Sequence, residues 1–130
     1  MDKPSKLLII DDNKEILSTL EDFFIKKRYE VFSASDGLEG LKLLETEEQG
    51  FDLVITDLVM PNISGVGLIA IIKNKFPGTP VIAITGWGEH PEMLATEAQA
   101  DQVLEKPFEL SELDRLIKDL LSQKKTNHFL

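Results

Sequence analysis

Two aspartates stand side by side at Asp11 and Asp12, directly after the apolar run LLII, and a third, Asp57, follows LVIT. Thr85 closes PVIAIT and Lys106 closes DQVLEK. Neighbouring carboxylates at the end of a buried strand repel each other and are partly removed from water, so something must compensate them. A helix N-terminus starting near Asn13 would satisfy one of the pair, but not both. If Asp57 joins them, the cluster calls for a hard cation. Oxygen-only ligands with room for waters suit Mg²⁺, with Mn²⁺ as a substitute, better than a soft transition metal. Lys106 would neutralise part of the remaining charge and could approach a phosphoryl oxygen as a point charge. Metal, lysine and carboxylate together amount to a phosphoryl-transfer site.

These groups meet only if the segments ending in them lie side by side. Short apolar runs at residues 7–10, 29–34 (YEVFSA), 51–56 (FDLVIT), 80–85 (PVIAIT) and 101–106 (DQVLEK) read as strands. Between them lie amphipathic stretches. The first carries Ile16, Leu17, Leu20, Phe23 and Phe24; the second, capped by Asp36 and ended by Gly50, carries Leu38, Leu41 and Leu44. The third carries Ile69, Ile72 and Phe76, a short fourth begins at Pro91 with Met93 and Leu94, and the fifth carries Leu113, Leu116, Ile117, Leu120 and Leu121. Strands that are continuous apolar runs, alternating with helices, indicate a parallel sheet covered on both faces. The fold class is therefore α/β, a three-layer doubly wound (βα)5 flavodoxin-like fold with sheet order 2-1-3-4-5. In that order strands one, three, four and five are neighbours, and ligands bind outside their carboxyl ends.

Composition narrows the functional classes. A chain of 130 residues with 42% hydrophobic content fits one domain able to bury a core, expected over residues 1–123 with a tail at 124–130. The absence of cysteine removes thiolate metal sites and disulfides, and MDKPSK leads into no apolar stretch long enough for a signal peptide or membrane span, so a cytoplasmic location is expected. A formal charge of −9 argues against direct nucleic-acid binding, because phosphate contacts draw on clustered Lys and Arg. Lys26-Lys27-Arg28 and Lys124-Lys125 read as solvated helix ends.

The pair Asp11-Asp12, DLVMPNISG beginning at Asp57, Thr85-Gly86 and Lys106-Pro107-Phe108 occur in order, and in these motifs the chain resembles the receiver domain of bacterial two-component response regulators. The resemblance implies that Asp57 accepts a phosphoryl group from a histidine kinase or phosphotransfer protein. It implies that Asp12, Asp57 and the backbone carbonyl of Val59 hold Mg²⁺, with Asp11 acting largely through a bound water. Thr85 and Lys106 would bond the phosphoryl group, Gly86 would leave the approach open, and the Lys106-Pro107 bond would be cis. The output face would be the fourth helix, fifth strand and fifth helix, serving a downstream protein or a homodimer.

Two departures from the family pattern carry their own expectations. An aromatic residue usually stands three positions before the lysine; here it is Val103, so output would rely on the loop after Thr85, with Trp87 as the moving aromatic. Val59 and Trp87 flank the path of the attacking water in receivers, and as apolar residues they would leave the acyl phosphate long-lived. Other readings stand beside this one. A metal-dependent phosphohydrolase with an aspartyl nucleophile would carry its two acids two residues apart after strand one, not adjacent. An FMN carrier needs a hydroxyl- and amide-rich loop where this chain has DDNKE. A receiver working as a phosphorylation-independent scaffold is the remaining alternative, kept open by Val103.

Overall fold

The structure, a computed structural model, describes residues 3–60, 63–86 and 99–128. Strands β1 (Lys6–Ile10), β2 (Glu30–Ala34), β3 (Leu53–Asp57), β4 (Val81–Thr85) and β5 (Gln102–Glu105) form one parallel sheet in the order β2-β1-β3-β4-β5. Every residue of β3 and β4 is buried, which is why both open on unbroken apolar runs, LVI and VIAI, before their polar ends.

Alternate strand residues feed two separate cores, as the two-residue period of a strand requires. Leu7, Ile9, Ile55, Ile82 and Ile84 pack with Leu17, Leu20 and Phe24 of helix α1 (Lys14–Lys26) and with Leu113, Ile117 and Leu120 of the C-terminal helix (Leu110–His128). Leu8, Ile10, Val54, Val81 and Ala83 pack on the other face with Leu44 of α2 (Gly37–Thr46) and with Leu68, Ile69 and Ile72 of α3 (Gly65–Lys75). The result is three layers. Burying each large aliphatic side chain contributes about 1.5–3 kcal/mol, and the shared sheet makes the two cores one cooperative unit.

Helix starts follow capping chemistry. Asn13 Oδ1 accepts the N–H groups of Glu15 and Ile16 at 3.0 and 3.1 Å, Asp36 Oδ1 accepts Glu39 N–H at 2.8 Å, and Ser64 Oγ accepts Gly67 N–H at 3.1 Å. At the end of α1, Tyr29 N–H donates to Phe24 O at 3.1 Å while Arg28 adopts φ 71°. This is a left-handed cap of the kind glycine usually supplies.

Several boundaries differ from sequence expectation. In α2 the buried stripe is Gly37, Gly40 and Leu44, whereas Leu38 is 64% exposed. The helix sits so close to β1 that a Cβ at Gly40 would lie 2.5 Å from Ile10 Cδ1, so glycine occupies the inward face and leucine the outward one. It ends at Thr46, before Gly50, whose φ of 70° instead turns the chain towards Phe51. Strand β2 begins at Glu30, after Tyr29, and β5 is shorter than expected at Gln102–Glu105; just before it, Asp101 N–H donates to Val81 O at 2.9 Å while its carboxylate accepts Val81 N–H at 2.7 Å and pairs with Lys73. The last helix continues through residue 128. The expected fourth helix, with Met93 and Leu94, lies outside the described residues.

Candidate functional site

The ends of four adjacent strands supply the site. The parallel register pairs Ile10 with Thr56, Asp57 with Ile84 and Thr85 with Glu105, so Asp11, Asp57, Thr85 and Lys106 all leave the sheet at its carboxyl edge. Backbone bonds extend the ladder past the strands: Leu58 N–H donates to Ile84 O at 3.1 Å and Lys106 N–H to Thr85 O at 2.8 Å. The sheet therefore holds these groups rigidly.

Asp11, Asp12 and Asp57 each offer a carboxylate oxygen, and the three oxygens lie within 4.8 Å of one another. Asp11 is 1% exposed. Its Oδ1 accepts Asn13 N–H at 2.8 Å, but its Oδ2 is buried with no hydrogen-bond partner. Burial pushes the Asp11 carboxyl above the usual carboxylate range, the Asn13 N–H opposes that, and the nearby Asp57 charge adds to it. A buried carboxylate oxygen without a donor is costly, and three carboxylates close together, one of them holding such an oxygen, match the donor set of a hard divalent cation. The residues fit Mg²⁺. Asp12 is exposed, which leaves one side of the cluster open to solvent.

Asp57 is 6% exposed, and its Oδ2 lies 3.5 Å from Lys106 Nζ, the one cation the structure brings to it among the described residues. Val59 N–H stands 3.5 Å from Asp57 Oδ1, a long contact. Thr85 is buried, Gly86 is half-buried, and the Lys106-Pro107 peptide bond is cis. Val59, two residues after Asp57, is exposed, and Val103 is 41% exposed on β5, so its side chain already lies at the surface. Trp87 falls outside the described residues. Met60 is buried in the α2–α3 core, and Phe108 packs against the opposite one.

Gly65, which in the sequence only closes DLVMPNISG, belongs to the site. A Cβ there would lie 2.0 Å from Asp57 O and 2.6 Å from Leu58 Cα. Asn13 likewise does more than cap α1, since its N–H is the one donor on Asp11 Oδ1 among the bonds described. A glycine following a serine cap was the available signal for the first, but a missing side chain acquires meaning only against its neighbours.

Among the described residues, hollows flank the sheet. One of about 500 Å³ lies between α1 and the turn after β5, lined by Ile16, Thr19, Leu20, Lys106, Phe108 and Leu110, and adjoins the site through Lys106. The larger, of about 940 Å³, is lined by Lys3, Lys6, Arg28, Glu30 and Asp52 at the amino edge, away from every carboxylate of the cluster.

A family model described as the response regulator receiver domain matches residues 7–118. The chain is 38% identical over 122 residues to the transcriptional regulatory protein GlrR of Escherichia coli, covering 93% of this chain and 27% of that protein. It is 31% identical over 117 residues to the alkaline phosphatase synthesis transcriptional regulatory protein PhoP of Bacillus subtilis, covering 89% and 48%. Among solved structures, a response regulator receiver domain protein from Clostridium thermocellum superposes with TM-score 0.86 at 33% identity, covering 94% of this chain and 98% of that one. A CheY-like receiver domain protein from Methanospirillum hungatei gives TM-score 0.90 at 28% identity, covering 95% and 98%. The chain thus spans between about a quarter and a half of these two curated relatives, but nearly all of each solved domain.

Proposed function

The chain belongs to the receiver domain family of two-component response regulators, and we propose on that premise that Asp57 is its phosphoacceptor and the carboxylate cluster its Mg²⁺ site. One observation carries the reading: a buried Asp57 joined to Lys106 on one side and to two further carboxylates on the other, one of which holds an unpartnered buried oxygen. No structural ion pair needs that surplus of negative charge.

A carboxylate oxygen of Asp57 attacks phosphorus, and the bond to the donor group, a histidine nitrogen in a kinase or phosphotransfer protein, breaks with its electron pair leaving on the donor. Asp11, Asp12, Asp57 and the Val59 carbonyl would hold Mg²⁺, which when bound offsets the charge of both the carboxylates and the incoming phosphoryl oxygens. Lys106 holds its ammonium beside Asp57 throughout and offsets the charge that arrives on phosphorus. Thr85, fixed at the end of β4, offers a hydroxyl donor once a phosphoryl oxygen is within reach. The acyl phosphate is lost when water attacks phosphorus and Asp57 leaves as carboxylate. The chain is thus a reactant in signalling and turns over no external substrate.

Val103 is already exposed and has no ring to turn inward. This supports an output carried by the segment after Thr85 and read by a downstream protein or a second copy of the chain. Treatment with acetyl phosphate and Mg²⁺ followed by borohydride reduces an acyl phosphate to an alcohol. Peptide sequencing is expected to find homoserine at position 57, and reduction at another carboxylate would overturn the assignment.

A further inference from the structure

Gly65 opens helix α3 eight positions after the acceptor, and the surroundings of its Cα are backbone. An added Cβ would meet Asp57 O at 2.0 Å, Leu58 Cα at 2.6 Å and Asp57 C at 2.8 Å, whereas ordinary van der Waals contact begins near 3.4 Å. These atoms cannot rotate aside as a side-chain tip can. At Gly40, by contrast, the nearest atom is Ile10 Cδ1, the far end of a flexible chain, and at Gly67 nothing lies closer than 3.6 Å.

The crowded peptide is also held from its other sides. Asp57 O accepts the Thr56 hydroxyl at 3.0 Å, and Leu58 N–H is bonded to Ile84 O across the sheet. Gly65 N–H donates to Leu58 O at 2.9 Å, which ties the first residue of α3 to the peptide that precedes Val59. Ser64 caps the same turn through Gly67 N–H. The first turn of α3 therefore presses on the acceptor's own backbone.

We propose that Gly65 is a positioning residue for phosphoryl transfer, its bare Cα letting α3 brace the Asp57–Leu58 peptide so that the acceptor carboxylate and the Val59 carbonyl are set together. This rests on the reading of Asp57 as acceptor and of the cluster as a cation site. An alanine at 65 must open the contact by more than an ångström. Because β4 holds Leu58 in place, the shift is taken up by the Asp57 peptide and by α3, which re-aims both oxygens.

The test compares wild type, Gly65→Ala and the core truncation Leu44→Val, all full chain, at a temperature where circular dichroism shows each folded. Phosphorylation by acetyl phosphate is timed by intact mass, and Mg²⁺ affinity is measured by calorimetry. Gly65→Ala is expected to slow phosphorylation by about tenfold or more, the scale of an ångström-sized misplacement, and to weaken Mg²⁺ binding. Leu44→Val should lose stability while keeping both values within about twofold, because its site lies outside the reacting groups. Wild-type rate and affinity in folded Gly65→Ala, or an equal loss in Leu44→Val, overturns the proposal. If Gly65→Ala does not fold, Ser64→Ala loosens the same turn without adding an atom: a several-fold slower reaction supports the proposal and an unchanged rate overturns it. Should wild type take no phosphoryl group, the acceptor reading is what fails, and Mg²⁺ affinity alone then decides for or against Gly65.

Discussion

Asp11 and Asp57 are nearly devoid of solvent contact, and the only cation at their cluster among the described residues is Lys106, placed against Asp57 and not against Asp11. Burial, only partly offset by the Asn13 N–H on Oδ1, raises the pKa of Asp11, and the unpartnered Oδ2 makes the cluster suited to a divalent ion. Val59 stands over this site with an exposed aliphatic side chain that cannot orient a water molecule. Replacing it with asparagine supplies an amide that can. Val59→Asn is expected to shorten the acyl-phosphate lifetime several-fold, read as decay of the phosphorylated mass after the donor is removed; an unchanged lifetime would count against a role for this side chain. The acidic residues, Thr85 and Lys106 were legible in the sequence because each ends an apolar run, and parallel strands deliver their ends to one edge. The unpartnered oxygen of Asp11 and the contact of Gly65 were not, since both depend on atoms far apart in sequence.

Among the elements, α1 and its exit show how local conformation is kept against propensity. Arg28 sits at φ 71°, where a side chain is disfavoured and glycine is not, yet the surrounding bonds of the cap hold it there. Arg28→Gly is expected to raise stability by about 0.5–1 kcal/mol in urea unfolding, because the folded conformation then carries no Cβ clash; a lower stability would show that the arginine side chain contributes more than the strain costs.

One residue on, Tyr29 links this exit to the C-terminal helix. Its hydroxyl donates to Asp114 Oδ1 at 3.1 Å, and Asp114, 5% exposed, also pairs with Lys118 at 3.1 Å. Burial, then the Asp114 charge and the hydrogen bond, push the Tyr29 phenol up to about 12. The neutral phenol is therefore favoured in the folded state. Between the ordinary value of about 10 and this raised one, the unfolded chain loses a proton that the folded chain keeps, so the stabilisation is fully present below that window and is lost as pH rises through it. Tyr29 is the only tyrosine, so phenolate absorbance reports it alone. The midpoint is expected near 12 in wild type and lower in Asp114→Asn, where burial persists but the charge is gone; an identical midpoint in both would remove Asp114 as a cause. The apolar stripe of the C-terminal helix was readable from its spacing, but this polar link was not. The stripe of α2 was misleading for a different reason: close packing on β1 selects glycine for the buried face and leaves Leu38 outside.

Taken as one body, the described residues form a parallel sheet with two cores whose carboxyl edge gathers charge and which packs against α1 and the C-terminal helix on one face and α2 and α3 on the other. Strand order and layering were legible because the central residues of β1, β3 and β4 are buried on both faces and are apolar, with polar residues only at the strand ends. No described helix is long and apolar enough to cross a membrane. The central proposal, built on the family, the fold and the carboxylate cluster, is that Asp57 accepts a phosphoryl group in a Mg²⁺-dependent reaction. Its most direct test is the intact mass of the chain after incubation with acetyl phosphate and Mg²⁺, beside Asp57→Asn and a sample with the metal chelated. Wild type with Mg²⁺ is expected to gain a single phosphoryl group and the other two samples none. A folded wild type that binds Mg²⁺ and gains no mass, or an Asp57→Asn variant that gains the same mass as wild type, would contradict it.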